Sequence, residues 1–414
     1  MFRVPGTRRG IATAFSSAVA GGLMAMLPSV ASAQSQVCYA LSDDAQRLVG
    51  VQQSGAAWNV IYNQTISGLT PESTEALFYD GMTGRFFTVD QGSPQSNPDR
   101  LGFISLSNTV FTPIGTNLGS VSSGATTVVI GGGTTNQTSG ISRDSATGQV
   151  YGLTINGFLY KIEVATGQAI PNAFGPGVGY VRVRSGATNY IALDDLTFDP
   201  AGNLYITRNR SSAPFQSVLL RVDKTTGLIL EERPITINGS AEAEFEGLST
   251  GLGGTLYATT GYGVTNPANR NRLWTLDPAT GAATLQVALP ISGATDYESL
   301  ACLNATNSNA DLFISKTNTP ASGPGDLPAD TVISGSATAY VVSVSNDGPM
   351  PAHGAVARDV PGAGLSGCSV TTCNAVNGAT CPVTPVNLMS PAGVPIPVLP
   401  MGGRVDFTVT CNVD

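Results

Sequence analysis

The stretch Phe198-Asp199-Pro200-Ala201-Gly202-Asn203-Leu204-Tyr205 joins the end of one apolar segment to the start of another through a proline and a glycine. Short apolar segments separated by such residues are typical of β-strands connected by a turn. A third apolar segment at 220–223 leads into Thr226-Gly227, where glycine can adopt the positive φ that a tight reversal needs. The region therefore predicts a meander of short antiparallel strands.

The same unit recurs along the chain. Measured at the central apolar residue of the first strand, successive repeats are 64, 55, 52 and 52 residues apart. These central residues are Leu77, Ile141, Leu196, Leu248 and Leu300. The second strand ends in an aromatic residue in four repeats, namely Phe87, Tyr151, Tyr205 and Tyr257. A period of about 50 residues with several strands per repeat predicts the blades of a β-propeller.

The last repeat consists of a first strand alone, at 297–302. The segment 37–41 matches the missing second strand, and 47–55 matches the third strand with its turn. Pairing these segments in one blade closes the ring and removes an exposed sheet edge. This count predicts a five-bladed propeller, and a sixth blade within the two wider steps is the alternative. A two-sheet sandwich or an open stack of meanders would not explain why the incomplete repeats lie at opposite ends.

The repeated motifs also carry a family resemblance. Leu204-Tyr205 and the Asp-x-x-Thr-Gly turn at 223–227 resemble motifs of exported bacterial propellers with quinoprotein-like or YVTN-like repeats. The resemblance covers residues 37–303 and implies a propeller domain over 34–303. Quinoprotein enzymes carry a tryptophan in nearly every blade, whereas this chain contains only Trp58 and Trp274. The resemblance therefore implies the fold without a quinone cofactor.

The repeats stop at a polar run, and residues 304–310 are predicted to be an interdomain linker. Short alternating strands then continue, as at 339–344, which precedes the turn residues Asn346-Asp347-Gly348. This pattern predicts an immunoglobulin-like β-sandwich over residues 311–414. Separated motifs, including Asp311-Leu312 and Leu399-Pro400-Met401-Gly402-Gly403, resemble the bacterial surface-repeat domain called domain of unknown function 11. That resemblance implies a spacer or stalk in an exported or cell-surface protein, with no catalytic residue.

The composition excludes several functions. The chain has 28 acidic and 20 basic residues, so it lacks the positive charge that neutralises a phosphate backbone, and we expect no nucleic-acid partner. His353 is the single histidine, which excludes most zinc sites and any Ser-His-Asp triad outside its neighbourhood. Charge-driven disorder is excluded as well, because 42% of the residues are apolar and can form a core.

Residues 1–33 are predicted to be a signal peptide. Three arginines precede an apolar run from Ile11 to Leu27, and Ala31-Ser32-Ala33 provides the small residues that a signal peptidase requires. The general and twin-arginine export routes both stay open. No later stretch reaches the ~20 apolar residues of a transmembrane helix. We therefore expect an exported protein that is extracellular, at the cell surface or in the periplasm.

All six cysteines follow the predicted signal peptide, which agrees with disulfide formation after export. Cys38 and Cys302 occupy facing positions on the two neighbouring strands of the closing blade. The Cβ atoms of such a cross-strand pair come within ~4.5 to 5.5 Å, near the range that a disulfide accepts. The sequence therefore predicts a Cys38–Cys302 bridge that holds the two ends of the propeller together.

The other four cysteines lie in the predicted sandwich. Cys373 and Cys381 flank Asn377-Gly378, a strong hairpin signal, so we expect them to pair across the turn. This leaves Cys368 for Cys411 on the last strand. Pairing Cys368 with Cys381 and Cys373 with Cys411 is nearly as compatible with two neighbouring strands.

A column of acidic residues is the candidate binding site. Four repeats place a carboxylate two residues before the central apolar residue of the first strand, and the fifth places Ser139 there. The four are Glu75, Asp194, Glu246 and Glu298. Because first strands line the channel of a propeller, these side chains should converge at its mouth. Converging oxygen ligands suit calcium, and Glu246-Gly247-Leu248 is similar to sequences in calcium-bearing propeller hydrolases and lactonases. An acidic column of purely structural origin is the alternative.

Two functions are compatible with these features. The first is an exported, non-enzymatic binding or scaffold protein, in which the propeller presents a ligand-binding surface and the sandwich is a spacer. The second is a calcium-dependent propeller hydrolase or lactonase that uses the carboxylates in the channel. The sequence identifies no catalytic residue and no particular ligand.

Overall fold

The computed structural model describes residues 36–71, 74–81, 83–91, 98–133, 136–209, 216–290, 296–303, 310–317, 334–348 and 351–414. The predicted signal peptide, residues 1–33, lies outside the described residues, as does the predicted linker apart from residue 310. Within the described ranges, no helix is long and apolar enough to cross a membrane.

Nearly all regular structure in the described residues is β-strand. The strands up to residue 302 are β1 (Val37–Ser42), β2 (Arg47–Ser54), β3 (Ala57–Thr65), β4 (Leu77–Asp80), β5 (Arg85–Asp90), β6 (Arg100–Ser105), β7 (Val110–Pro113), β8 (Ser120–Ser123), β9 (Thr126–Val129), β10 (Thr138–Arg143), β11 (Val150–Thr154), β12 (Phe158–Glu163), β13 (Gln168–Ala169), β14 (Tyr180–Arg182), β15 (Arg184–Ser185), β16 (Thr188–Asn189), β17 (Leu193–Phe198), β18 (Leu204–Asn209), β19 (Ser217–Val222), β20 (Ile229–Pro234), β21 (Thr236–Ile237), β22 (Ser240–Ala241), β23 (Phe245–Thr250), β24 (Leu256–Thr260), β25 (Arg272–Leu276), β26 (Ala282–Ala288) and β27 (Tyr297–Cys302). The later strands are β28 (Leu312–Thr317), β29 (Ala337–Asn346), β30 (Val356–Ala357), β31 (Leu365–Val376), β32 (Val394–Pro395) and β33 (Arg404–Val413). Short 3-10 helices occur at Leu252–Gly254, Pro267–Asn269 and Pro385–Met389.

Antiparallel meanders of four strands make up most of the region before residue 303. Their strand orders are β4-β5-β6-β7, β10-β11-β12-β13, β17-β18-β19-β20, β23-β24-β25-β26 and β27-β1-β2-β3. The first strand of each meander contacts the first strands of two others, in the cyclic order β27, β4, β10, β17, β23 and back to β27. Radial sheets whose first strands surround a common axis are the arrangement of a β-propeller. The chain is thus an all-β protein with a propeller fold.

The last meander, which we call the closing meander, combines strands from both ends of the propeller. Strand β27 pairs antiparallel with β1, with Cys302 opposite Cys38 and Leu300 opposite Ala40. A disulfide joins Cys38 to Cys302, as the cross-strand positions predicted. Strands β2 and β3 complete the sheet on its outer side.

The additional residues of the widest repeat form a small hairpin that packs into the apolar cluster between two meanders. In the widest step, β8 and β9 form a two-stranded sheet between β7 and β10, and Val121 and Val128 of this hairpin are buried. The β8–β9 insertion lengthens its repeat without changing the order of the four main strands. The β15–β16 hairpin is not such an insertion, because a comparable hairpin, β21–β22, occurs in the following repeat of 52 residues.

Apolar side chains fill the space between each pair of successive meanders. Phe87 and Ile141 belong to a cluster between the meanders that start at β4 and β10. Corresponding clusters lie at the other junctions, including one in which Val49 of the closing meander joins Leu273 of its neighbour. Burial of apolar side chains at about 25 cal/mol per Å² stabilises the ring, so its stability depends on all of these junctions.

Ion pairs with buried carboxylates also connect successive meanders. Arg143 at the end of β10 donates two hydrogen bonds to Asp80 at the end of β4, with N···O distances of 2.7 and 2.8 Å. Lys224 donates to Asp144 at 2.6 Å. Both carboxylates have no exposed side-chain surface. Each pair therefore links two sheets at a place where an unpaired charge would be costly.

Residues 310–317, 334–348 and 351–414 form what we call the C-terminal β-module. Its main sheet has the order β28-β29-β33-β31, and β30 pairs with β32 in a second, two-stranded sheet. Leu388 and Ile396 pack with Phe407 of the main sheet in one buried cluster. Two disulfides lie in the module, one joining Cys368 to Cys411 and the other joining Cys373 to Cys381.

The turn between Cys373 and Cys381 has the conformation that its residues favour. Asn377 and Gly378 both have positive φ, 53° and 79°. Asparagine and glycine tolerate this region of backbone conformation better than other residues do, and both central positions of a type I′ turn require it. The observed pairing is therefore the one that the hairpin signal favours over its alternative.

The C-terminal β-module contacts the propeller through the turn between β6 and β7. The backbone N–H of Ser107 donates to Asp347 at 3.2 Å, and Arg404 donates to Asn108 at 2.8 Å. Met401 packs against the apolar cluster of the closing meander, with its sulfur 3.0 Å from the hydroxyl oxygen of Tyr39. The motif around Met401 therefore contributes to a contact with the propeller as well as to a turn.

This contact lies at one particular end of the ring. We call the end at which the first strands begin the entry end and the opposite one the exit end. Strand β4 runs from the entry end to the exit end, β5 returns, and β6 runs to the exit end again. The β6–β7 turn is thus at the exit end. The C-terminal β-module docks there and leaves the entry end uncovered by this contact.

Replacing Met401 with aspartate is expected to weaken the docking of the module, because the new carboxylate would contact an apolar cluster and lie in the same contact region as Asp347. Hydrogen exchange of the Ser107 amide should accelerate about tenfold or more, the factor that corresponds to a loss of about 1.4 kcal/mol. Val383→Asp is the control, because Val383 is 96% exposed. Unchanged protection of Ser107 in M401D would contradict the docking described above.

Candidate functional site

Irregular strand pairing accompanies three of the predicted acidic positions. The register between β17 and β18 shifts between Leu193 and Leu196, around Asp194. A similar shift between Phe245 and Leu248 surrounds Glu246, and the pairing of β27 with β1 skips Glu298. A β-bulge leaves one residue unpaired and bends the strand, which changes the direction of its side chain. Glu75 differs from these three because it precedes β4.

The bulged acidic positions of neighbouring first strands lie at the same level along the axis of the ring. Both carboxylate oxygens of Asp195, the residue after Asp194, accept backbone hydrogen bonds at 2.8 Å, one from Leu196 and one from Leu248 of the next meander. Gly247 in turn lies against the backbone of Ser299 and Leu300. The bulged segments of these three first strands therefore lie side by side at the entry end.

Three carboxylates come together at the junction of β23 and β27. Oxygen atoms of Glu246, Asp296 and Glu298 lie within 4.8 Å of one another. Only 9% of the surface of Glu246 is exposed, and no N–H or hydroxyl group donates a hydrogen bond to its Oε2 atom. Asp296 accepts a hydrogen bond from the backbone N–H of Tyr262 at 2.6 Å. We call Glu246, Asp296 and Glu298 the acidic triad.

Gly261 provides the space for this arrangement. A Cβ atom at Gly261 would lie 1.8 Å from Oε2 of Glu246 and 2.4 Å from Oδ1 of Asp296. Both distances are far below van der Waals contact, so any other residue here would displace the two carboxylates. The backbone of Gly261 and Tyr262 thus forms one wall of the triad.

Burial and mutual repulsion raise the pKa values of these acids. Burial raises the pKa of Glu246 well above its usual range, and the charges of Asp296 and Glu298 raise it further. The pKa of Glu298 is likewise raised by burial and then by Glu75, among other acids. The triad is therefore a place where negative charge is unfavourable unless a cation is close.

The other two predicted residues lie within electrostatic range of the triad but are not among its members. Burial raises the pKa of Glu75 to about 7, and a hydrogen bond with Gln91 opposes this shift. Burial also raises the pKa of Asp194, and Glu244 and Glu75 add to the effect. The Oδ2 atom of Asp194 is buried without a hydrogen-bond partner. Charges of both residues act on Glu298, so the four predicted acids share one electrostatic environment.

Asp296 and Glu244 were not predicted from the spacing of the repeats. Both precede a predicted site residue by two positions, in Asp296-Tyr297-Glu298 and Glu244-Phe245-Glu246. Residues two apart in a strand point to the same face, so the alternation of acid and aromatic residues was a readable signal. The spacing of the repeats marks only one position in each first strand and therefore does not indicate these two residues.

The chemistry available at the entry end is that of carboxylate oxygens. His353 lies in the C-terminal β-module, where its Nδ1 accepts a hydrogen bond from the backbone of Leu399 at 2.9 Å. The only histidine of the chain is thus part of a module that contacts the opposite end of the ring. Oxygen ligands from carboxylates suit hard cations such as calcium.

Comparisons with known proteins yield structural matches only. No family model matches the chain, and no curated protein matches it. A chain in the crystal structure of a nidogen/laminin complex matches with a TM-score of 0.36 and 9% identity, over 65% of this chain and 98% of that one. The glutaminyl cyclase of Myxococcus xanthus gives 0.32 and 12%, over 54% and 88%. The WD40 β-propeller domain of Doa1 gives 0.32 and 12%, over 63% and 86%.

These matches are too distant to assign a function. The ring is defined by the strand pairing of this chain and by the contacts between its first strands. The resemblance of its C-terminal residues to domain of unknown function 11, and of its repeats to bacterial quinoprotein-like propellers, stay predictions from the sequence.

Proposed function

We propose that this chain is an exported, non-enzymatic binding or scaffold protein whose propeller binds calcium at the entry end. In this proposal the propeller has five blades, one for each four-stranded meander. The C-terminal β-module is an immunoglobulin-like sandwich of the kind found in bacterial surface proteins, and it supports the propeller from the exit end as a spacer. The ligand-presenting surface is the acidic entry end, to which Glu75, Asp194, Glu246 and Glu298 contribute.

The observation that carries the proposal is the position of the acids in bulges of neighbouring first strands. A structural role alone would be satisfied by carboxylates that accept backbone hydrogen bonds, as both oxygens of Asp195 do. Glu246 and Asp194 each keep one buried oxygen without a partner. Buried polar atoms in folded proteins are nearly always paired, so unpaired carboxylate oxygens in a cluster favour a bound cation.

The chain should bind calcium in solution. Titration calorimetry of the mature protein with calcium chloride should show uptake, and thermal unfolding should shift upward with calcium and return when a chelator is added. A free concentration one hundred times the dissociation constant would add about 2.7 kcal/mol of stability, because calcium binds the native state alone. Magnesium should bind less well, since it requires near-ideal octahedral geometry and loses its water reluctantly. Absence of heat and of any thermal shift would contradict calcium binding.

A calcium-dependent hydrolase or lactonase is the alternative function, and the same protein sample tests it. We expect no turnover of chromogenic esters or of lactones, with or without calcium. Turnover that requires calcium and disappears in Glu246→Gln would show that the propeller is an enzyme. The comparison with Glu163→Gln, an exposed glutamate on β12, excludes a contaminating activity, because both variants share one purification.

A further inference from the structure

We propose that calcium bound by the acidic triad fastens the closing meander to its neighbour and so holds the ring shut at the entry end. This inference rests on the proposed calcium binding and adds its position and its role. The ion would lie away from the channel axis, between two adjacent first strands. Its effect would be complementary to the Cys38–Cys302 disulfide, which joins the closing meander at the other end of β27.

The three residues of the acidic triad come from two different meanders. Glu246 belongs to β23, whereas Glu298 belongs to β27 and Asp296 directly precedes it. A cation held by all three residues would therefore cross-link the first strands of two successive meanders. Three oxygen atoms spread evenly around one calcium ion at about 2.6 Å are about 4.5 Å apart. The triad oxygens already lie within 4.8 Å of one another, so only a small approach of the three side chains is needed to bring them to one ion.

The segment that leads from β1 to β2 also reaches the triad. The backbone N–H of Asp296 donates a hydrogen bond to Asp44 at 3.2 Å. Asp44 lies between β1 and β2, in the part of the closing meander that comes from the start of the propeller. Both parts of the closing meander are thus connected to the place where the ion would bind.

The two fastenings are well separated along the strand. Strand β27 begins at Tyr297, next to Asp296, and ends at Cys302. At about 3.3 Å per residue, its six residues place the triad and the disulfide roughly 15 to 20 Å apart. Neither fastening can replace the other, because each restrains a different end of the same strand. Without the disulfide, ring closure should therefore depend more strongly on calcium, and without calcium it should depend more strongly on the disulfide.

The position of the ion is tested by two isosteric substitutions at the entry end. Asp296→Asn removes a triad ligand and is expected to weaken calcium binding in titration calorimetry about tenfold or more. Asp194→Asn removes the same charge outside the triad and should weaken binding no more than about threefold. Glu246→Gln removes a second triad ligand and should weaken calcium binding as much as Asp296→Asn does. Glu163→Gln, at an exposed position on β12, is its control and should leave calcium binding unchanged. If Asp194→Asn abolishes binding as fully as Asp296→Asn, the ion is axial and the inference is wrong, while calcium binding itself stands.

The role of the ion is tested in the full mature chain that lacks the closing disulfide, Cys38→Ser with Cys302→Ser. Hydrogen exchange of the β27 and β1 amides should slow about tenfold or more on addition of calcium, and this protection should be absent when Asp296→Asn is added. Amides of β18, in the meander opposite, should change little. Calcium binding that leaves β27 and β1 unprotected would overturn the fastening role. Absence of calcium binding by the unmodified chain would instead refute the proposed function.

Discussion

Replacing Cys38 and Cys302 with serine is expected to lower the free energy of unfolding by about 2 to 5 kcal/mol, the usual range for the loss of a native disulfide. The two cysteines are 264 residues apart, so their bond removes a large amount of conformational entropy from the unfolded chain. Both are buried, and serine leaves hydroxyls in an apolar cluster. Urea unfolding under non-reducing conditions, with an intrinsic fluorescence signal, measures the change.

The double variant Cys373→Ser with Cys381→Ser is the matched control. These cysteines are only 8 residues apart, and both are partly exposed. The loop-entropy argument therefore gives a smaller loss, confined to the C-terminal β-module. Equal losses in the two double variants would contradict the view that Cys38–Cys302 stabilises the propeller by closing its ring.

Replacing Arg143 with methionine is expected to destabilise the protein by about 3 to 5 kcal/mol, because one member of a buried ion pair would be left without its counter-charge. Arg143 donates to both carboxylate oxygens of Asp80, which has no exposed side-chain surface. Methionine keeps much of the length of the side chain, and the substitution also removes the hydrogen bond that Arg143 donates to the backbone carbonyl of Gly148. Denaturant unfolding at neutral pH measures the loss of stability.

A double-mutant cycle separates the ion pair from its surroundings. Replacing both partners, Arg143→Met with Asp80→Asn, should recover a substantial part of the lost stability, because no buried charge then lacks its partner. The hydroxyl of Thr83 also donates to Asp80 at 2.8 Å, so recovery should be incomplete. If the double variant is no more stable than Arg143→Met alone, the pair is not what connects these two meanders.

The propeller fold was largely readable from the sequence because its signals are local. Turn residues such as Gly202 and Gly227 have positive φ, at 79° and 73°, where the sequence placed reversals. The incomplete repeats at 37–55 and 297–302 could pair in only one way that closed a ring, and they fixed the positions of Cys38 and Cys302. The hairpin of β8 and β9 was not predicted, since four-residue strands of serine, threonine and valine carry no distinctive pattern.

The candidate site was predicted only in part. The spacing of the repeats indicated Glu246 and Glu298, and the structure places both in one triad. The same spacing also indicated Glu75, but this residue precedes its strand and lies outside the triad. Bulges change which residues of a strand face a neighbour, and no residue type specifies them reliably. The spacing of the repeats therefore did not indicate Asp296, although the alternation Asp296-Tyr297-Glu298 is visible in the sequence.

The closing meander also sets the order in which this protein can fold. Four meanders of the propeller are continuous in sequence, so each can form from its own segment of the chain. Strands β1 to β3, in contrast, lack the first strand of their meander until β27 is present. Contacts at such long sequence separation form slowly, and the unpaired edge of β1 is prone to aggregation in the meantime. We therefore expect ring closure to be the last step in the assembly of the propeller. The appearance of the Cys38–Cys302 bond during refolding would time that step directly.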